Sequence, residues 1–260
     1  MHYAPEPPDH IGSSHTADGE GAAPAPVPTP GAVVEPANRV PTGRAVWWEV
    51  AAVMAVSTVP AMTGGLVSLC DPVPPAAVPP LPYWLGSVYL VVISGCTILV
   101  TLYLIGRSGE SWERFGLAPP RVLDAPLGAF LLVVALVVWS RVPPIPDFGV
   151  RTGGQFVGPH GPGEYALMVV KYALAGFAEE LVTRAYLLTR LTVLLRSRAE
   201  AVLFAALVFA ACHAYQGPVG VVHSFVFGVT YGVIFLALGR VWPLAVGHAL
   251  YNIRLEILAG

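Results

Sequence analysis

Residues 83–105 read YWLGSVYLVVISGCTILVTLYLI, an apolar run with no Asp, Glu, Lys, Arg or His. A helix rises about 1.5 Å per residue, so roughly 20 residues cross the hydrocarbon core of a bilayer. This run is long enough. It lacks the polar face that a helix on a water-soluble protein would need. It predicts a transmembrane helix, and the rest of the chain supports that solvent. Of the 260 residues 55% are apolar and 12% charged, with mean hydropathy +0.66. Soluble domains carry about 25% charged residues. The net charge of −2 and the lack of a basic block exclude nucleic acid as an expected partner.

Working outward, similar runs occur at 45–69, 124–141, 164–190, 199–216, 218–238 and 241–258. The expected fold is an all-α polytopic membrane helix bundle of about seven transmembrane helices, with a range of six to eight. The segment 70–82 is a Pro-rich loop, 107–121 an interfacial connection holding Trp112, Arg114 and Phe115, and 142–163 a longer Pro/Gly-rich loop. Residues 1–43 are rich in Pro, Ala and Gly, lack apolar periodicity and predict a disordered tail. They do not read as a signal peptide. Three regions follow: the tail 1–43, N-terminal helices and loops over 44–163, and a chemistry-bearing part over 164–260.

Arginine placement orients the bundle. One set of connections carries Arg39 and Arg44, then Arg107, Arg114 and Arg121, then Arg190, Arg196 and Arg198, then Arg240. The opposite set carries only Arg141, Arg151 and Arg254. The richer set predicts a cytoplasmic N-terminus, in a multi-pass protein of the plasma membrane. Lys171 is the only lysine. Cys70, Cys96 and Cys212 form no paired framework or CxxC zinc pattern. Cys96 and Cys212 read as small apolar residues.

Ionisable groups at mid-span cost roughly 2.5–3.5 kcal/mol each on insertion scales, so they mark function or a specific packing need. Three clusters qualify. In Glu179-Glu180-Leu181-Val182-Thr183-Arg184, Glu180 and Arg184 are one turn apart and can pair. Glu179 is rotated by about 100° from Glu180 and is free to serve as a general base. Alone, the cluster also reads as a helix-positioning ion pair. In Phe209-Ala210-Ala211-Cys212-His213, a single His on an apolar helix is by itself more often a core residue than a catalyst. In His248-Ala249-Leu250-Tyr251-Asn252, positions 248 and 252 share a face, and could equally be an interhelical hydrogen-bond pair. The three clusters lie at depths that agree within roughly 10 Å, so they can converge. For His223 a packed structural role is expected, and Gly228 and Gly232 form a GxxxG spacing that permits close helix approach.

EExxxR at 179–184, FxxxH at 209–213 and HxxxN at 248–252, in this order, resemble the CPBP family of CAAX-protease and bacteriocin-processing intramembrane proteases, also called the Abi family. The stretch from Phe227-Gly228 through Leu238-Gly239-Arg240-Val241-Trp242-Pro243-Leu244 to His248 is similar as well. The resemblance covers about residues 110–255. It implies peptide-bond hydrolysis within the membrane, on a membrane-associated protein or peptide. Glu179 and His213 would activate water, His248 and Asn252 would stabilise the oxyanion, and Glu180 and Arg184 would hold the helix and tune Glu179. Such sites are also described as metal centres, and Glu179, His213 and His248 could ligate zinc. The cofactor is therefore none or zinc. HExxH is absent and HxxxN offers oxyanion donors, which favours the metal-free chemistry. The competing class is a non-catalytic transporter, immunity or scaffold protein. Transporters commonly show internal repeats, and no repeat relates the two halves of this chain.

Overall fold

The computed structural model describes residues 43–70, 82–145 and 158–259. The tail expected over 1–43 lies, but for Gly43, outside these residues. So do 71–81 and 146–157, the greater part of the two expected loops.

The described residues are helical, with no strand among them. Helix α1 spans Gly43–Ser57 and α2 spans Val59–Cys70. A single helix was expected there, and the break falls at Thr58. Pro60 sits in the first turn of α2, where a missing N–H is tolerated. The Thr58 N–H still donates to the Met54 carbonyl at 2.9 Å. Helix α3 spans Tyr83–Arg107, and the following connection contains a 3₁₀ turn at Trp112–Phe115. Helix α4 spans Asp124–Ser140.

Helix α5, Gly161–Glu180, runs directly into a π-helical segment, Leu181–Leu188, and then α6, Thr189–Leu194. This run extends beyond the expected 164–190 at both ends. Helix α7 spans Arg198–Cys212. The Ser197 hydroxyl caps it by accepting from the Glu200 N–H at 3.1 Å. It stops short of the expected 216, because a 3₁₀ turn at Ala214–Gln216 leads to Gly217 at φ +74° and then Pro218. Helix α8 spans Gly217–Leu238 and ends on Gly239 in the left-handed region. Helix α9 spans Trp242–Ala259. Two stretches, Tyr83–Arg107 and Ala214–Leu238, are long and apolar enough to cross a membrane, and Asp124–Ser140 is a shorter apolar helix.

Helix α9 packs against both α4 and α5, α7 against α8, and α3 against α5. Small residues bring backbones together. A Cβ on Gly176 of α5 would lie 2.9 Å from the Ala249 nitrogen of α9. A Cβ on Gly228 would lie 3.0 Å from the Ala206 Cα of α7, and Gly232 faces Val202, so the GxxxG spacing is used as expected.

The polarity of the bundle is inverted relative to a soluble protein. Trp84, Tyr89, Val92, Leu99 and Tyr103 on α3, and Phe130, Val133 and Val137 on α4, are exposed. Lys171, Glu180, Arg184, Arg190 and Glu256 are buried. Apolar residues outside and paired charges inside suit a lipid solvent. One end of the bundle is tied by ion pairs. Arg190 bonds Glu110 and reaches Glu49 of α1 at 3.3 Å, beneath the rings of Phe115 and Tyr186. Arg240 bonds Asp124 at 2.6 Å, with Asp124 in the first turn of α4 where the helix dipole favours an anion.

The contact at Gly176 is with backbone, which cannot rotate away. Gly176→Val should therefore separate α5 from α9 and destabilise the protein by about 1–3 kcal/mol. Thermal unfolding in detergent would measure this, with Gly163→Ala as the control, since nothing lies within 4 Å of a Cβ at Gly163.

Candidate active site

The three polar clusters meet where α5, α7 and α9 converge. Glu179 and Glu180 end α5, His213 caps the C-terminus of α7, and His248 lies two turns into α9. The Glu179 Oε2 atom stands 3.8 Å from His213 Nε2 and 3.6 Å from His248 Nε2. Both separations exceed a direct hydrogen bond. Glu179 Oε2 is itself shielded, and accepts no hydrogen bond from the described residues.

The two carboxylates do different work. Glu180 is fully buried. Its Oε1 accepts from Arg184 Nη1 at 2.9 Å and from His248 Nδ1 at 2.7 Å. Arg184 in turn lies over the ring of Phe209 at 4.7 Å, with Phe227 and Tyr231 at 5.8 Å. Three aromatic faces thus shelter a cation that is buried from solvent. The Thr183 hydroxyl donates to the Glu179 carbonyl and accepts from Arg184 Nη1 at 3.3 Å. These contacts fall in and just before the π segment. Its widened turns are a feature that recurs at functional sites.

The hydrogen bonds also fix the histidine rings. A carbonyl and a carboxylate can only accept. The Phe209 carbonyl, 2.7 Å from His213 Nδ1, therefore holds the proton on that nitrogen, and Glu180 does the same for His248. Both Nε2 atoms face Glu179. Anchoring one ring nitrogen while the other meets the reacting group is how ligating and catalytic histidines are commonly oriented. The donor atoms are of the type zinc takes. Among the described residues, however, no three His, Cys, Asp or Glu side chains are grouped so as to hold a metal ion.

Two cavities flank the cluster. The larger, about 230 Å³, is bounded by the α1–α2 joint, α3, α5 and α7. Glu179, His213 and Phe209 lie on its wall with Thr58, Ser94 and Thr97. The smaller, about 40 Å³, shares Phe209 and His213 with the larger and is also lined by His248, Asn252, His223 and Tyr251. Asn252 thus lines the smaller cavity with His248, whereas Glu179 lines the larger one. His223 takes the packed role expected of it. Its Nε2 is 2.6 Å from the Tyr251 hydroxyl, and the Trp139 ring meets it edge-on at 4.4 Å. Cys212 lines the large cavity and Cys96 is exposed.

Sequence reasoning missed the aromatic shelter and Thr183. It also missed the cavity wall built from α1, α2 and α3. Phe227 and Tyr231 are four apart on α8, a spacing that could have flagged a shared face. Nothing in α1–α3 signals a cavity. Truncating Glu180 would leave Arg184 buried without its counter-charge. Glu180→Ala should cost about 3–5 kcal/mol of stability, measurable as a large fall in melting temperature. Glu179→Ala, at the more exposed position, should barely move it.

Residues 161–254 match the Rce1-like family, the type II CAAX prenyl endopeptidases. No curated protein and no solved structure matches the chain. The matched segment holds every residue of the converging set, Glu179, Glu180, Arg184, His213, His248 and Asn252. Over that segment the chain is similar to the CAAX-protease family that its three motifs resemble.

Proposed function

We propose that this protein is an intramembrane endopeptidase that cleaves membrane-associated proteins or peptides, with Glu179 as its general base. The observation that carries the reading is the Glu179 carboxylate, flanked by the Nε2 atoms of His213 and His248 at the inner wall of a cavity. In this mechanism the oxygen of a water molecule bonds to the scissile carbonyl carbon as Glu179 takes its proton. The carbonyl electron pair moves onto oxygen. Collapse of the tetrahedral intermediate breaks the C–N bond, and the proton passes from Glu179 to the departing amine.

The histidines divide the remaining work. His213, with its proton held on Nδ1, offers an Nε2 lone pair to the attacking water. His248 donates from Nε2 to the oxyanion, which requires the doubly protonated ring, and the adjacent Glu180 carboxylate is the partner such a cation needs. Asn252 supplies the second donor. Zinc on Glu179, His213 and His248 would be the alternative chemistry of the same residues, and no step here depends on it.

The same reading extends to the whole chain. It has about seven transmembrane helices, an N-terminus in the cytoplasm with residues 1–43 as a tail, and helices up to residue 163 preceding the catalytic part from 164 onward. Its location is the plasma membrane. The apolar exterior supports the membrane spans, and the arginine distribution supports the orientation.

Purified protein in liposomes, offered membrane-anchored peptides, tests the chemistry. Glu179→Gln should lower cleavage by about 10²–10⁴-fold, the scale of a lost general base. Unchanged cleavage would remove Glu179 from the role. Asn252→Ala should lower kcat by about 10²–10³-fold with little change in KM. Protein stripped of zinc, checked by elemental analysis, should retain full activity. Loss on stripping, with recovery on adding zinc, would assign the metal chemistry instead.

A further inference from the structure

Outside the site, a buried polar cluster joins Lys171 of α5, Glu256 of α9 and Tyr83 of α3. The Lys171 ammonium contacts both oxygens of the Glu256 carboxylate, at 2.7 and 3.0 Å. The Tyr83 hydroxyl donates to the same carboxylate at 2.6 Å. The ammonium also lies over the rings of Tyr83 and Tyr172, at 4.4 and 4.7 Å. Lys171 is 7% exposed and Glu256 1%. The chain's single lysine is thus held in a fully enclosed ion pair that touches no reacting group.

The position of the pair gives it meaning. Lys171 and Glu179 are eight residues apart on α5, and Glu256 and His248 are eight apart on α9. Residues eight apart share a helix face, separated by about 12 Å along the axis. The cross-helix contacts are Lys171 with Glu256 and Glu179 with His248, so α5 and α9 run antiparallel in one register. Between the two contacts, Gly176 presses its backbone against Ala249. A flat Gly/Ala seam resists sliding poorly, because small side chains interlock little. A directional ion pair at one end resists it well.

We infer that Lys171 and Glu256 are positioning residues: at the end of the seam away from the Glu180–His248 hydrogen bond they hold the axial register of α9 against α5, and so keep His248 beside Glu179. The inference rests on the proposed hydrolysis for its kinetic consequence but not for its structural one. A misplacement of about 1 Å in a reacting constellation can cost about 10²-fold in rate. A pair that merely stabilised the fold would be replaceable by any well-packed apolar pair, because buried ion pairs commonly are.

Four variants separate these roles: Lys171→Met, Lys171→Arg, the exchanged double variant K171E/E256K, and the apolar double variant K171M/E256M. The expected result is a fall in kcat of about 10²-fold in Lys171→Met at unchanged KM. Lys171→Arg and the exchanged pair should return to near the parental rate. The apolar pair should recover melting temperature but not kcat. Recovery of kcat in the apolar pair, or an unaltered kcat in Lys171→Met, would overturn the inference.

A substrate-free readout separates failure of this inference from failure of the hydrolase reading. Spin labels at Tyr165→Cys and Leu258→Cys, both exposed near the paired ends of α5 and α9, would be placed in protein whose native cysteines are replaced by alanine. Pulsed electron resonance should give one narrow distance with the ion pair or its exchanged form, and a shifted or broadened one in the apolar pair. An identical narrow distance in all forms would overturn the register role even if no peptide is ever cleaved. A register change seen without any cleavage by parental protein would instead discard the hydrolase reading alone.

Discussion

One carboxylate carries the geometry of the polar centre. Glu180, with no contact to solvent, accepts simultaneously from Arg184 on its own helix and from His248 on α9. Removing charges from water costs several kcal/mol per ion, and the cost is offset only when geometry and hydrogen bonding are nearly complete. The aromatic faces of Phe209, Phe227 and Tyr231 close off Arg184 on α7 and α8. The pairing of Glu180 therefore specifies how four segments meet. Glu179 is the beneficiary: its neighbour is locked, so its own carboxylate is free to face the two imidazoles.

The two histidines are held by different acceptors, and this asymmetry is the chemical content of the site. His213 leans on a neutral carbonyl from its own helix, whereas His248 leans on an anion from another. A neutral acceptor supports a neutral ring with a free lone pair. An anionic acceptor supports a ring that carries charge. The two rings therefore face Glu179 from different electrostatic surroundings.

The motifs in the sequence were readable because membrane insertion makes polar residues conspicuous. Glu179, Glu180, Arg184, His213, His248 and Asn252 stood out against apolar neighbours, and the structure brings five of them into direct mutual contact, with Asn252 lining the adjoining cavity. Helix existence was legible for the same reason. What was not legible depends on local geometry that composition does not record. The break at Thr58 turns on where one proline falls in its helix. The π segment after Glu180 has the composition of an ordinary helix. His213 reads as mid-helix, yet caps α7, because the chain turns ahead of Gly217-Pro218. Glu256 belongs to no motif, and its pairing with Lys171 depends on helix register, which periodicity alone does not give.

The large cavity has a divided origin. Its chemistry-bearing wall comes from α5 and α7, inside the segment that matches the family, while Ser57, Thr58, Ala61, Leu90, Ser94 and Thr97 come from helices that precede it. The two walls are thus encoded separately. One is bound by the demands of a charged network that tolerates little change. The other is a surface of hydroxylic and apolar side chains with no such obligation. Sequence drift can reshape what the cavity admits while the polar centre stays fixed, so chains sharing this centre are free to diverge in what they accept.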